Sequence, residues 1–356
     1  MHILHVVGAR PNFMKAAPVY RACVARGIRQ TIVHSGQHYD ANMSDIFFTQ
    51  LGIPQPDFNL EVGSGSHAQQ TATIMQRMEP IVIEQRPDWV LVYGDVNSTL
   101  AGTIVCSKLG QLVAHVEAGL RSFDRTMPEE INRLLTDQVA DLLFTHSEEA
   151  AENLTSEGVA AERIHFVGNV MIDTLIRLLP QCEPPQFPGV NGRYVLVTLH
   201  RPSNVDNPAA LHQIMRALER VDQSLAVIFP VHPRTRRRLE EQAYKIDNPQ
   251  LHLIEPLGYQ EFIGLQRNAT AVITDSGGVQ EETTFLQIPC LTLRSNTERP
   301  VTVTIGTNKL IGSDPDRIIS EINAILAGNG KKGAIPTLWD GHAGERIVDI
   351  LMASHL

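Results

Sequence analysis

Short apolar runs recur along this chain, and a glycine- or proline-bearing turn and a helix-like stretch follow most of them. The first series is His2–Val7, Thr31–His34, Asp88–Tyr93, Leu112–Val116, Asp141–Thr145 and Arg163–Val167. The second is Tyr194–Thr198, Ala226–Pro230, Leu251–Ile254, Ala271–Thr274, Cys290–Arg294 and Asn308–Gly312. His2–Val7, for example, is a short apolar run of the kind found in parallel strands covered on both faces. Strands that alternate with helices define a doubly wound α/β domain. Residues 180–192, rich in proline and glycine, break every periodicity and separate the two series. A chain of 356 residues also exceeds the size at which single cores stop growing. The expectation is therefore two parallel-sheet domains of six strands each, 1–180 and 193–340, with a closing helix over 344–356.

Charge and cysteine usage exclude several classes. The formal net charge of −9 argues against nucleic acid or anionic lipid as the main partner. The one dense basic run, Arg234–Arg238, leads into Glu240 and Glu241 and reads as a solvated helix face. Four scattered cysteines form neither a disulfide framework nor a zinc motif, so no metal is expected. The chain opens on a strand rather than a signal peptide and has no 18-residue apolar run, which points to a cytosolic protein that is not membrane-bound.

Polar residues collect just after the strands, where open α/β sheets bind ligands. Glu117 ends one apolar strand. Glu129 and Glu130 open a helix at Pro128, where acids complement the helix dipole whether or not they do chemistry. Asp95 follows another strand and is either a helix cap or a functional acid. Gly8-Ala-Arg10-Pro and Lys15 form a turn into a helix, an anion site or two surface cations. Gly63-Ser-Gly65-Ser-His-Ala68 fits the dinucleotide fingerprint formally. It lacks the preceding strand and the later acid-ended strand, and is read as a helix-capping loop. Ser276-Gly277-Gly278 is the strongest phosphate feature, because glycines let backbone N–H groups approach an oxyanion. Glu282 could accept from ribose hydroxyls. Arg299 offers either a diphosphate fork or a structural ion pair. His200 and His232 sit at equivalent strand ends, so either could be structural or functional.

Together these segments resemble the non-hydrolysing UDP-N-acetylglucosamine 2-epimerase family. The matching motifs are Gly8-Ala-Arg10-Pro with Lys15, Gly94-Asp95-x-Asn-Ser-Thr, His115-Val-Glu117-Ala-Gly-Leu-Arg121-Ser and Met127-Pro-Glu129-Glu-Ile-Asn-Arg133. Leu199-His200-Arg201, Thr274-Asp-Ser276-Gly-Gly-Val-Gln-Glu-Glu282 and Thr297-Glu-Arg299-Pro complete the set. The resemblance implies a GT-B fold, in which two Rossmann-like domains enclose the active site in their cleft and a C-terminal helix packs back on the first. It implies a cofactor-free isomerase and a cytosolic homodimer that supplies N-acetylmannosamine nucleotides for surface polysaccharide. It makes Asp95, Glu117 and Glu129 the acid/base set, with His200 assisting at the diphosphate and Lys15 stabilising the anion. Arg10, Ser276, Gly277, Gly278 and Arg299 would hold the diphosphate, Glu282 the ribose, and Phe262 would lie beside uracil.

The chemistry implied is elimination of UDP to 2-acetamidoglucal and re-addition, since no nicotinamide fingerprint supports an oxidation. Two departures bear on substrate. Many members carry Gln-His-Arg, linked to activation by a second UDP-GlcNAc, where this chain has Gln37-His38-Tyr39-Asp40, so that activation is not expected. The same loop, with Asn42-Met-Ser44-Asp-Ile-Phe-Phe48, is similar to relatives acting on UDP-2,3-diacetamido-glucuronic acid. The alternatives are a hydrolysing epimerase, a GT-B glycosyltransferase and a non-catalytic UDP-sugar sensor.

Overall fold

A computed structural model describes residues 1–36, 45–187, 192–222 and 224–354. The Gln37–Asp40 motif and most of the stretch after it lie outside the described residues. The chain divides into two compact units, Met1–Arg177 with Thr337–Leu356, and Leu178–Pro336.

The strands of the first unit are β1 (His2–Val7), β2 (Arg29–His34), β3 (Phe58–Asn59), β4 (Trp89–Tyr93), β5 (Val113–Ala118), β6 (Leu142–Thr145) and β7 (Ile164–Phe166). They form one parallel sheet in the order β3-β2-β1-β4-β5-β6-β7. The sheet thus has seven strands where the apolar runs predict six. The extra strand is two residues long and too short to show a period. Asp57 holds it in place, donating its N–H to the Ile32 carbonyl and accepting from the Ile32 N–H at 2.7 Å. β1, β4 and β5 are buried along their whole length, as strands covered on both faces must be. Two histidines on β1 are satisfied in place: His2 bonds Thr31, and His5 bonds Tyr93 and Gln30. Burial pushes His5 down to about 4, so it stays neutral in the core.

The last helix, Ala343–Ala353, packs on the first, Arg10–Ala25. The chain enters this unit again at Thr337, and fully buried Trp339 anchors it by donating to the His146 carbonyl. Gly65 and Ser66 behave as the capping loop expected, with Ser66 accepting from the Gln69 N–H at the start of helix His67–Gln85.

The second unit holds β8 (Tyr194–Thr198), β9 (Ala226–Pro230), β10 (Leu251–Ile254), β11 (Ala271–Thr274), β12 (Cys290–Thr292) and β13 (Asn308–Leu310). Their order, β10-β9-β8-β11-β12-β13, is the Rossmann order 3-2-1-4-5-6. The first sheet has the same order with one strand added beyond β6. The basic run lies on helix Pro233–Glu241, where Arg237 and Arg238 pair with Glu241 one turn away. All four cysteines are buried and free.

Candidate functional site

In both sheets the strand order reverses at one place, between β1 and β4 in the first and between β8 and β11 in the second. The turns leaving these strands are neighbours, and ligands of open α/β sheets bind there. Most of the residues singled out in the sequence occupy these turns or the one after β5.

In the first unit Glu117 departs furthest from regular geometry. The register of β5 against β6 slips between Val116 and Ala118, and Glu117 takes φ +75°. A non-glycine residue in the left-handed region costs roughly 1–2 kcal/mol. The bulge re-aims the side chain out of the strand's alternation. Glu117 is 5% exposed, and its carboxylate accepts from the Lys15 ammonium at 2.6 Å. Lys15 reaches it from the first helix, which begins at Arg10 and has Pro11 in its first turn. The Asn12 side chain fixes that turn: its oxygen accepts from the Gly8 and Ala9 N–H groups and its nitrogen donates to the Tyr93 carbonyl. Lys15 therefore engages Glu117, as a buried pair in which neither charge is left alone. Glycine suits position 94: it has φ +65°, where a side chain would be strained, and a Cβ would stand 2.8 Å from the Lys15 nitrogen.

Asp95 is not a helix cap. The following helix spans Asn97–Lys108 and its cap position is Val96. The Asp95 carboxylate accepts from Arg133, at 2.6 Å from Nη2 and 3.0 Å from Nε. Arg133 also donates to Glu130, whose oxygens accept from the Ser122 and Phe123 N–H groups. Glu130 is thus a structural acid of the loop. Glu129, its half-exposed neighbour on helix Pro128–Val139, instead joins Asp95 in lining a cavity of about 300 Å³. His67, Gln70, Asn97 and Asn132 line it too. Asn97 donates to Gln70 at 2.8 Å and Asn132 donates to the Asp95 carbonyl at 2.9 Å. These amides suit hydroxyl and acetamido groups. Sequence reasoning missed His67 and Gln70, and read no role for Arg133 inside its quoted motif. The Gly63–Ala68 loop signals its capping role, and nothing local links residue 67 to 97 or 133 to 95.

In the second unit Asp275 ties the two switch-point turns together. It is fully buried, accepts from the N–H groups of His200 and Arg201 and from the Asn204 amide, and lies 3.1 Å from His200 Nδ1. Burial alone would raise its pKa, yet His200 and the other donors hold it below the ordinary carboxylate range. The His200 ring, with 57% of its side chain exposed, is oriented from behind by a carboxylate. Asp275 stands inside the quoted motif, but no role was read for it. His232 caps its own helix by accepting from the Arg234 N–H, a structural role.

Ser276 precedes helix Gly277–Leu286, and a Cβ on Gly277 would collide with the Arg299 guanidinium. The glycine turn therefore admits Arg299 to the positive end of that helix. Arg299 is also ion-paired, with Glu298 at 2.5 Å and Glu281 at 3.0 Å. Arg294 pairs with Glu298 too, and Arg201 stands 3.9 Å from it. Arg201, Arg294 and Arg299 thus gather with Glu281 and Glu298 beside the glycine turn. Glu282 is buried and accepts from the Tyr259 hydroxyl at 2.9 Å; burial, reinforced by Glu281, pushes its carboxyl up to about 8. Phe262 is partly buried against the apolar cluster that includes Tyr194 and Leu196. Arg10 begins the first helix of the other unit and is half-exposed. Among the described residues no group of three or more His, Cys, Asp or Glu could hold a metal ion. Nor is any helix long and apolar enough to cross a membrane.

Two Rossmann-like units, with carboxylates at the switch point of one and a glycine turn beside Arg299 at that of the other, define a protein built on the plan of GT-B nucleotide-sugar enzymes. A family model described as UDP-N-acetylglucosamine 2-epimerase matches residues 21–352. The UDP-N-acetylglucosamine 2-epimerase of Methanocaldococcus jannaschii is 43% identical over 364 residues, covering 99% of each chain. The UDP-2,3-diacetamido-2,3-dideoxy-D-glucuronate 2-epimerase of Pseudomonas aeruginosa is 43% identical over 355 residues, again covering 99% of each. A crystal structure of the M. jannaschii enzyme in complex with UDP-GlcNAc and UDP superposes with a TM-score of 0.90, covering 99% of this chain and 100% of that one. The chain belongs to the UDP-N-acetylglucosamine 2-epimerase family.

Proposed function

We propose that the protein inverts C2 of UDP-N-acetylglucosamine to give UDP-N-acetylmannosamine without hydrolysis. The observation that carries this reading is the gathering of Asp95 and Glu129 in one cavity at the switch point, with Glu117 bulged out of β5 at the next strand end. A base at C2 removes the proton while the C1–O bond breaks, so the electron pair of the C2–H bond becomes the C1–C2 double bond and UDP leaves. The 2-acetamidoglucal then takes a proton on the opposite face of C2 as UDP re-adds at C1. Two acid/base groups on opposite faces are required, and Asp95, Glu117 and Glu129 supply them. Lys15 and Arg133 keep the first two from drifting. His200, Ser276, Gly277, Gly278 and Arg299, with Arg10, hold the diphosphate through the elimination. Glu282 meets the ribose and Phe262 the uracil.

Between the two substrates named for the relatives, the cavity favours the uncharged sugar. Among the described residues its lining holds amides, a histidine and two carboxylates and neither Lys nor Arg, whereas a uronate carboxylate calls for a cation. The same reading makes the protein a cytosolic homodimer that feeds surface-polysaccharide synthesis. Exposed Leu109, Leu112, Leu135 and Val139 support the dimer.

Incubation with UDP-GlcNAc in D₂O, followed by NMR, tests the reaction. The expected product is UDP-linked N-acetylmannosamine with deuterium at C2. Free sugar would mean a hydrolysing enzyme, and turnover on the diacetamido-uronate alone would reassign the substrate. Transfer to an acceptor without C2 exchange would mean a glycosyltransferase. Glu117→Gln should lower the exchange rate by about 10²–10⁴-fold. UDP-sugar binding with no turnover in the unmodified protein would make it a sensor.

A further inference from the structure

Behind the bulged Glu117 lies a buried polar cluster to which the scheme above gives no part. His115 on β5 and Asp137 on helix Pro128–Val139 are both fully buried, with His115 Nδ1 2.6 Å from Asp137 Oδ1. His115 Nε2 lies 2.7 Å from the Gly94 carbonyl. The other Asp137 oxygen accepts from the Gly119 N–H at 3.1 Å and from Arg121 at 2.7 Å. Arg121 in turn grips Glu157 with two nitrogens, at 2.7 and 2.6 Å. A carbonyl only accepts. Burial would raise the Asp137 pKa, but His115 and Arg121 hold it below the ordinary range, so its carboxylate only accepts too. Arg121 thus bridges two carboxylates, Asp137 and Glu157.

A charge cluster of this kind is a poor device for stability alone, since well-packed apolar residues often serve a core as well or better. Where its bonds end is more telling. One Asp137 oxygen reaches His115, two residues before Glu117, and the other reaches Gly119, two residues after it. Through the ring, the same carboxylate sets the Gly94 carbonyl, immediately before Asp95. Gly119 is pressed from its other side as well: it has φ +80°, and a Cβ there would strike the Ala150 carbonyl. The left-handed Glu117 is held between these two ties.

We propose that Asp137 and His115 are positioning residues, one carboxylate–imidazole couple that fixes the turn carrying Asp95 and the bulge carrying Glu117 relative to each other. The inference rests on the epimerase reading above. Displacing a reacting group by about 1 Å costs on the order of 100-fold in rate. Asp137→Ala should therefore lower kcat about 100-fold while KM for UDP-GlcNAc stays within about threefold, in protein whose circular dichroism matches the parent. Asp137→Asn should recover most of that loss. Its oxygen can still accept from Gly119 and Arg121, and its NH₂ can face His115 Nδ1 while the ring keeps its bond to Gly94 through Nε2. Should Asp137→Ala not accumulate folded, His115→Asn decides: it retains a donor toward Asp137, gives up the one to Gly94, and should show the same split. A merely structural couple would lower melting temperature and leave kcat per folded molecule unchanged, which overturns the proposal; so would Asn failing to rescue at position 137. Absence of C2 exchange in the unmodified protein would instead overturn the epimerase reading.

Discussion

At the residue scale, burial sets protonation states that act on stability as well as chemistry. Glu282 has an ordinary value of 4.5 and is raised to about 8. Between those two pH values the unfolded chain has released its proton and the folded one has not, so stability falls as pH rises across that window. Asp173, raised by burial to about 6, acts in the same direction over a narrower window. The glutamine variant at 282 retains an oxygen for the Tyr259 hydroxyl and has nothing to ionise. Glu282→Gln and the parent should accordingly melt together near pH 5, and the variant should melt higher at pH 8. Thermal denaturation at the two pH values checks this, and equal melting temperatures at pH 8 would show that Glu282 is not held neutral.

At the element scale, helices meet where the sequence permits close approach. Helix Ala343–Ala353 crosses the first helix at Gly344, whose N–H donates to Asp173 at 2.8 Å. A Cβ at Gly344 would lie 2.7 Å from the carbonyl carbon of Pro18, a backbone atom with no rotamer to escape into. Gly344→Val should cost about 1–3 kcal/mol of overpacking. Amides of the last helix should then exchange faster, while those of β8 to β13 keep their protection; unchanged protection of the last helix would refute the contact. The elements themselves were largely legible. Continuous apolar runs marked twelve of the thirteen strands, Pro128 marked a helix start, and Ser276-Gly277-Gly278 marked a turn into another. β3 was not legible, because two residues carry no period and Asp57 makes its bond by tertiary pairing. The candidate site was legible as residue types at strand ends. Its couplings were not: Arg133 to Asp95, Asp137 to His115 and Asp275 to His200 each join residues far apart in the chain. Nor does any local pattern announce that Glu117 sits in a bulge.

At the scale of the whole molecule, four of the first unit's exposed apolar residues lie near the carboxyl ends of two neighbouring helices. Leu109 ends helix Asn97–Lys108 and Leu112 follows it, while Leu135 and Val139 lie in the last turns of helix Pro128–Val139; these two helices pack side by side. In a parallel α/β unit, helix carboxyl ends lie at the edge of the sheet opposite the strand carboxyl ends. A partner covering these leucines would therefore leave Asp95, Glu117 and Glu129 open to substrate. Large apolar side chains grouped on a surface mark an interaction site, and a second copy of the chain, related by a twofold axis, brings the same patch to itself. The protein should sediment at twice its chain mass at micromolar concentration. Leu135→Glu with Val139→Glu places like charges across that axis and should return it to the mass of one chain, with circular dichroism unchanged because both positions are already exposed. Sedimentation of the unmodified protein as a single chain, or of the double variant at the doubled mass, would remove this face as the dimer contact.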